Sequence, residues 1–254
     1  MTTAAVRRAQ SPWLPFSGGQ DGTRLYCLTH AGGSASAYRS WVGRLGSAAV
    51  CPVQLPGRET RLGQPTHADM AALVGELADV LLADLAGGGG RFAVYGHSFG
   101  ALVGFELLNE LARRGERAPE HLLVSGCPAP QSCEDGDRPV ADMTDAEIVA
   151  MLRGLGGTPE SFLRDPTVLR MILPPFRADF AVRDGYRYHQ RPPLTVPVTA
   201  IAAAADPRVD TASMAGWREV TTGRFRAHTV PGGHFAVLEN SATTLALISS
   251  ALGG

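Results

Sequence analysis

Ser98 stands in the pentapeptide Gly96-His97-Ser98-Phe99-Gly100, between a β-type run, Arg91 to Tyr95, and a helix-type run, Ala101 to Leu111. A serine on a sharp strand-to-helix turn exposes its Oγ, and the helix start behind it favours developing negative charge. Glycine is needed on both sides, because a side chain at either place would meet the neighbouring strand or helix. A serine hydroxyl has too high a pKa to attack a carbonyl unaided, so it needs a base and an acid to orient that base. His234, in Pro231-Gly232-Gly233-His234-Phe235, directly follows the last strand-like run and is expected to be the base. His228 competes, but it lies inside that run and reads as structural. The expected acid is Asp206, in Ala204-Ala205-Asp206-Pro207, with Asp210 the nearest alternative and an Asp-Pro turn starter the plain reading. Ser98, Asp206 and His234 follow in the chain order that a Gly-x-Ser-x-Gly nucleophile requires. The preceding strand-like run ends Ser125-Gly126-Cys127-Pro128, with no acid before Glu134, which supports Asp206.

Acyl transfer also needs hydrogen-bond donors aimed at the tetrahedral oxyanion, each worth about 2.7–4 kcal/mol. The backbone N–H of Phe99, next after the serine, is one expected donor. The other is expected from His30-Ala31-Gly32-Gly33, after the first strand-like run, at the N–H of Ala31. Small residues there let the backbone approach a substrate; the same residues also suit an ordinary turn.

The elements that must position these groups alternate. Short apolar runs at Leu25–Thr29, Ala48–Gln54, Phe92–Tyr95, Leu122–Ser125, Val198–Ala202 and Phe225–Val230 read as strands. Apolar residues Met70, Leu73, Val74, Leu77 and Leu81 have helical spacing, with Asp69 as N-cap and Gly87-Gly88-Gly89-Gly90 as the stop. Glu239 to Leu252 reads as a last helix. The pattern predicts an α/β layer architecture with a mostly parallel sheet. From about Pro128 to Pro197 no strand is convincing. Met143 to Leu155 reads as a helix, and a second helical piece, Asp165 to Leu173, is expected to stop at Pro174-Pro175. So long a stretch is expected to be an insertion with a task, such as a lid.

Composition narrows the function classes. The 254 residues are 44% hydrophobic and 19% charged, an ordinary globular mix. A formal net charge of -1 provides no field toward nucleic acid or an anionic membrane. All 23 basic residues are arginine, which excludes lysine chemistry such as a Schiff base. Cys27, Cys51, Cys127 and Cys133 are too scattered for a disulfide framework or a CxxC zinc site. Met1 to Phe16 does not read as a signal peptide, and no apolar run is long enough to span a membrane, so the cytoplasm is the expected compartment.

Taken together, His30-Ala-Gly-Gly33, Tyr38 with Trp41, Gln54-Leu-Pro-Gly-Arg-Glu59 with Arg61, and Gly96-His-Ser-Phe-Gly100 resemble the type II thioesterases that accompany polyketide and nonribosomal peptide synthetases. Leu155-Gly-Gly-Thr158, Leu173-Pro-Pro-Phe-Arg-Ala-Asp179, Asp206-Pro207 and Gly232-Gly-His-Phe235 extend the resemblance in family order, from about residue 24 to 240. Ala203-Ala204-Ala205 departs from it, where the family often has a glycine.

The resemblance implies an α/β-hydrolase fold with helices on both sheet faces, spanning 1–254 as one domain with a lid insertion at about 130–195. It implies an editing hydrolase that removes unproductive acyl groups from the phosphopantetheine of acyl or peptidyl carrier proteins, through a Ser98-His234-Asp206 triad. No metal or organic cofactor is implied, since phosphopantetheine arrives with the substrate; nor is a nucleic-acid or membrane partner, and a monomer is the simplest state. His30, Phe176 and Phe180 are expected to touch substrate, with Phe99 as a further chamber wall. Arg177 is expected either to pair with Asp179 or to hold the pantetheine phosphate. Three alternatives stay open: an esterase or lipase acting on free esters, an acyltransferase, and a silent hydrolase fold used for binding.

Overall fold

The computed structural model describes residues 11–16, 22–46, 48–86, 90–133 and 138–253. Six strands form one sheet: β1 (Thr23–Leu28), β2 (Ala48–Pro52), β3 (Phe92–His97), β4 (Leu122–Ser125), β5 (Val198–Ala203) and β6 (Phe225–Val230). Their order is β2-β1-β3-β4-β5-β6 and every neighbouring pair is parallel. The helices are α1 (Met70–Ala86), α2 (Phe99–Arg113), α3 (Asp145–Leu155), α4 (Glu160–Leu163), α5 (Pro166–Asp184), α6 (Thr211–Ala215), α7 (Ala236–Glu239) and α8 (Ser241–Leu252).

A parallel sheet needs cover on both faces, which is why its strands are apolar throughout. The period-2 alternation sorts side chains accordingly. Tyr26, Leu28, Val94, Leu122 and Val124 face one core, which holds Leu73, Leu77 and Leu81 of α1 and the buried residues of α2. Leu25, Cys27, Ala93, Tyr95 and Leu123 face the other, against Tyr38, Trp41 and Leu245 and Ile248 of α8. Tyr38 lies in a short 3₁₀ stretch, Ala35–Trp41, and its hydroxyl donates to the Leu28 carbonyl (2.9 Å). Asp69 caps α1 as expected, accepting from the Ala72 amide (2.8 Å). Of the glycine run expected to stop that helix, Gly87–Gly89 lie outside the described residues.

The strand order has a switch. β1 is followed by β2 on one side, and the chain then crosses to place β3 on the other. Loops leaving adjacent strands in opposite directions open a crevice at the carboxyl ends of the strands. The His30–Gly33 loop and the Ser98 turn leave β1 and β3, so they face each other across that crevice.

Between β4 and β5 the described chain contains helices and loops, with one isolated bridge, Leu194 to Thr221, as its only strand-like pairing. Thr144 caps α3 in a capping box with Glu147, which starts the helix at Asp145 rather than Met143. The expected stop at Pro174-Pro175 is overturned: α5 runs through both prolines to Asp184. Each interior proline removes a donor and costs ~3 kcal/mol or more. Past the prolines, Phe176, Asp179, Phe180 and Val182 are all buried, and their contacts offset that penalty. The expected final helix, Glu239 to Leu252, is α8, which begins at Ser241; the short helix α7 precedes it and the two meet at Asn240. The end of the insertion is tied to α2, where the Tyr186 hydroxyl (2.6 Å) and the Arg191 guanidinium (3.0 Å) donate to Glu106. Among the described residues no helix is long and apolar enough to cross a membrane.

Candidate active site

Ser98 has φ 53° and ψ -119°, a left-handed conformation that an L residue adopts only under constraint. Its amide donates to the Ser125 carbonyl (2.8 Å) and its carbonyl accepts from Ala101 (2.9 Å), which pins the turn between β4 and the start of α2. A Cβ on Gly96 would run into the Gly100 backbone, and one on Gly100 into the Leu28 and Thr29 carbonyls. Both glycines are therefore required by the close passage of α2 over the strand ends.

His234 and Asp206 come together. The His234 Nδ1 lies 2.7 Å from Asp206 Oδ2, with both side chains almost wholly buried. The other carboxylate oxygen accepts from the amides of Arg208 (2.9 Å) and Val209 (3.3 Å). Burial pulls the Asp206 pKa upward, but the His234 hydrogen bond and these amides outweigh it, leaving the carboxyl below its usual value. Asp210 instead caps α6, accepting from Ser213 (2.6 Å). His228 sits within β6 opposite Ile201.

Ser98 and His234 line one cavity of about 740 Å³, together with Ala31, Phe99, Phe176 and Phe180. Among the described residues, neither the Ala31 nor the Phe99 amide donates to a protein acceptor. Phe99 opens α2, so its N–H is one of the orphan donors of a helix start. Phe176 and Phe180 stack 4.6 Å apart in the cavity wall. The expected substrate contact His30 also lines it, with its ring edge-on to Phe235 at 4.8 Å. Leu62, Phe162 and Met171 are exposed large apolar side chains and line the same cavity, marking where it meets solvent.

Three histidines cluster here. The His97 ring lies 4.9 Å from that of His234 and 6.0 Å from that of His30. His97 Nδ1 is 3.0 Å from the Ser125 hydroxyl, itself 2.8 Å from the Tyr95 hydroxyl. Burial, then the neighbouring histidines, push the His97 pKa well below the ordinary imidazole value. Burial, then His234 and Arg58, lower that of His30 to about 4. Both rings are therefore neutral near pH 7.

Two parts of the site went unread in the sequence. Arg177 is expected either to pair with Asp179 or to hold the pantetheine phosphate, yet Asp179 pairs with Arg58, at 2.5 and 2.8 Å. Arg177 donates to the carbonyls of Val140 and Met143 and to Asp145 (2.6 Å), so it faces neither Asp179 nor the cavity. The His97-Ser125-Tyr95 chain was also missed. Tyr95 and Ser125 stand in strand runs, where period-2 patterning marks them only as core, and His97 stands in the Ser98 pentapeptide, where its spacing assigns it no partner.

This fold and site correspond to known proteins. A family model described as a thioesterase domain matches residues 23–252, and the chain belongs to that family. It is 38% identical to the linear gramicidin dehydrogenase LgrE of Brevibacillus parabrevis, over 90% of this chain and 87% of that protein. Its fold matches that of RedJ, a thioesterase from the prodiginine pathway in Streptomyces coelicolor, with a TM-score of 0.85, 36% identity, and 96% and 100% of the two chains covered. It matches BorB, the type II thioesterase of the borrelidin biosynthetic cluster, with a TM-score of 0.83, 34% identity, and 93% and 95% covered. The chain is thus a thioester hydrolase of the α/β-hydrolase fold. The word dehydrogenase in the first name has no counterpart here: the turn after β1 reads His30-Ala31-Gly32-Gly33, not the Gly-x-Gly-x-x-Gly of a dinucleotide site.

Proposed function

We propose that this enzyme clears acyl groups from the phosphopantetheine arm of acyl or peptidyl carrier proteins, editing misprimed or stalled polyketide or nonribosomal peptide assembly lines. The observation that carries this reading is the strained Ser98 and the Asp206-held His234 in the wall of one apolar cavity large enough for an acyl chain. The antibiotic-pathway names of its relatives support the choice of carrier-bound thioesters over free esters.

In the proposed mechanism His234 Nε2 takes the Ser98 proton as Oγ attacks the thioester carbonyl. Asp206 holds the imidazole by Nδ1 and stabilises its charged form. The amides of Ala31 and Phe99 hold the oxyanion, and the pantetheine thiolate leaves with the proton from His234. Water, deprotonated by His234, then attacks the acyl-enzyme and releases the acid. Each step is a proton or acyl transfer, so no metal or organic cofactor is needed. The insertion between β4 and β5 acts as a lid, with Phe176 and Phe180 as chamber walls. One chain supplies every group named, consistent with a monomer.

The test is release of free acid from acyl-loaded carrier protein beside hydrolysis of a p-nitrophenyl ester, with wild type and Ser98→Ala. Preference for the carrier, lost in the variant, is expected. Ester cleavage without carrier turnover would leave an esterase, and wild-type activity in Ser98→Ala would remove the triad.

A further inference from the structure

The His30–Gly33 loop is gripped from the insertion. The Gly33 amide donates to the His30 carbonyl (2.9 Å) and Gly32 has φ +72°, while Ala31 stays at negative φ. That combination is a type II turn, whose central peptide joins Ala31 to Gly32. This peptide can flip by 180° to another turn type unless something holds it. Here the Gly32 N–H donates to Asp179 Oδ2 at 2.7 Å. Arg58, which binds both oxygens of that carboxylate, also donates from Nη1 to the Gly33 carbonyl (3.1 Å) and from Nε to the Pro56 carbonyl (3.2 Å). Asp179 and Arg58 are both about 95% buried. One helical turn before Asp179, Phe176 packs flush on the loop, because a Cβ at Gly32 would lie 3.0 Å from the Phe176 Cβ.

A buried ion pair is weak evidence for stability, since desolvating both charges can exceed the Coulomb gain. Its value here is directional. The carboxylate of Asp179 holds the peptide between Ala31 and Gly32, and the fork of Arg58 holds the Gly33 carbonyl two peptide units on. The Ala31 N–H sits on the preceding peptide, whose His30 carbonyl closes the turn with the Gly33 amide, so fixing the turn fixes that N–H as well. The helix that carries Asp179 belongs to the insertion, and the turn belongs to the strand scaffold.

We propose that Asp179, braced by Arg58, is the positioning residue of the oxyanion hole: α5 must be seated for the Ala31 amide to point at the reacting carbonyl. This rests on the reading of Ala31 and Phe99 as the oxyanion donors. Seating of the insertion and competence of the hole are then one event, and a displaced α5 leaves a serine that attacks poorly.

The experiment uses Asp179→Asn and Arg58→Lys in the full chain, with p-nitrophenyl butyrate as substrate. The second readout is inhibition by phenylboronic acid, to whose boron Ser98 Oγ adds to give a tetrahedral adduct. A misplaced oxyanion donor lowers kcat by roughly ten- to a hundredfold. The expected result is that loss in kcat per active site, KM within about twofold, boronate affinity weakened by a similar factor, and an unmoved acidic limb of the pH profile. Arg177→Ala, which removes bonds to Val140, Met143 and Asp145 but leaves the contacts of α5 with the turn in place, is expected to leave boronate affinity unchanged. The proposal is overturned by wild-type kcat and boronate affinity in Asp179→Asn, or by an equal weakening in Arg177→Ala. If Asp179→Asn does not fold, Arg58→Lys carries the same test. Absence of carrier turnover by the wild type, with ester turnover intact, would count against the thioester reading and leave this test standing.

Discussion

His234 Nδ1 lies 2.7 Å from Asp206 Oδ2 across 28 residues of chain, with 4% and 1% of the two side chains exposed. The bond selects the tautomer that leaves Nε2 free to take a proton. Two backbone amides fix the carboxylate from behind, so it cannot swing to another partner.

Asp206→Asn keeps the shape of the carboxylate but offers a donor to Nδ1, favouring the wrong tautomer. We expect kcat to fall by about 10³- to 10⁴-fold, with KM little changed. Asp210→Asn, a helix-cap change, is expected to lower stability by about 1 kcal/mol or less and leave kcat alone. Steady-state rates with both variants decide it; a larger loss in Asp210→Asn would reassign the acid.

Gly126 follows β4 with φ +60°, and a Cβ there would lie 2.7 Å from His97 Cε1 and 3.1 Å from His234 Cε1. Gly126→Ala therefore combines backbone strain of about 1–2 kcal/mol with pressure on the rings of His97 and His234. The expected outcome is a kcat loss of up to about a hundredfold, exceeding what the fall in Tm alone would produce at the assay temperature. A folded variant with wild-type kcat would show that the histidine cluster has slack.

Acid should destabilise the fold in a defined window. Burial lowers the pKa of His30 and, with the charge of Arg226, that of His121 from 6.5 to about 4; burial and the neighbouring histidines also push that of His97 well below the ordinary imidazole value. Between pH 6.5 and 4 the unfolded chain takes up protons that these folded rings refuse, so stability falls as pH falls. Each ring contributes up to about 1.4 kcal/mol per pH unit. Urea midpoints at pH 7 and 5 test this. His121→Gln, which keeps a hydrogen-bonding group beside the Thr199 hydroxyl (2.8 Å from His121 Nε2 in the wild type), should reduce the difference without altering turnover. Equal midpoints for the wild type would refute it.

Phe180 faces the cavity from α5 and is 7% exposed. Phe180→Leu should enlarge the chamber and shift kcat/KM toward longer or bulkier acyl groups. A series of N-acetylcysteamine thioesters from two to twelve carbons would reveal it. An unchanged profile would mean that Phe180 packs the lid without selecting substrate.

Much of this architecture was legible locally. The six strand runs, the α1 cap, the Ser98 turn and the order Ser98, Asp206, His234 each depend on a few neighbouring residues, where periodicity, capping and turn chemistry are written. The resemblance added which thioesters to consider, a matter that triad residues alone leave open. Tertiary structure decided the rest. Helix α5 continues through Pro174-Pro175 because the burial of Phe176, Asp179 and Phe180 outweighs a local breaker. Asp179 prefers Arg58, 121 residues away, to Arg177, two residues away, because successive helical positions diverge by about 100° around the axis. Spacing along the chain can nominate a nucleophile; only packing chooses the partner that holds the turn after β1.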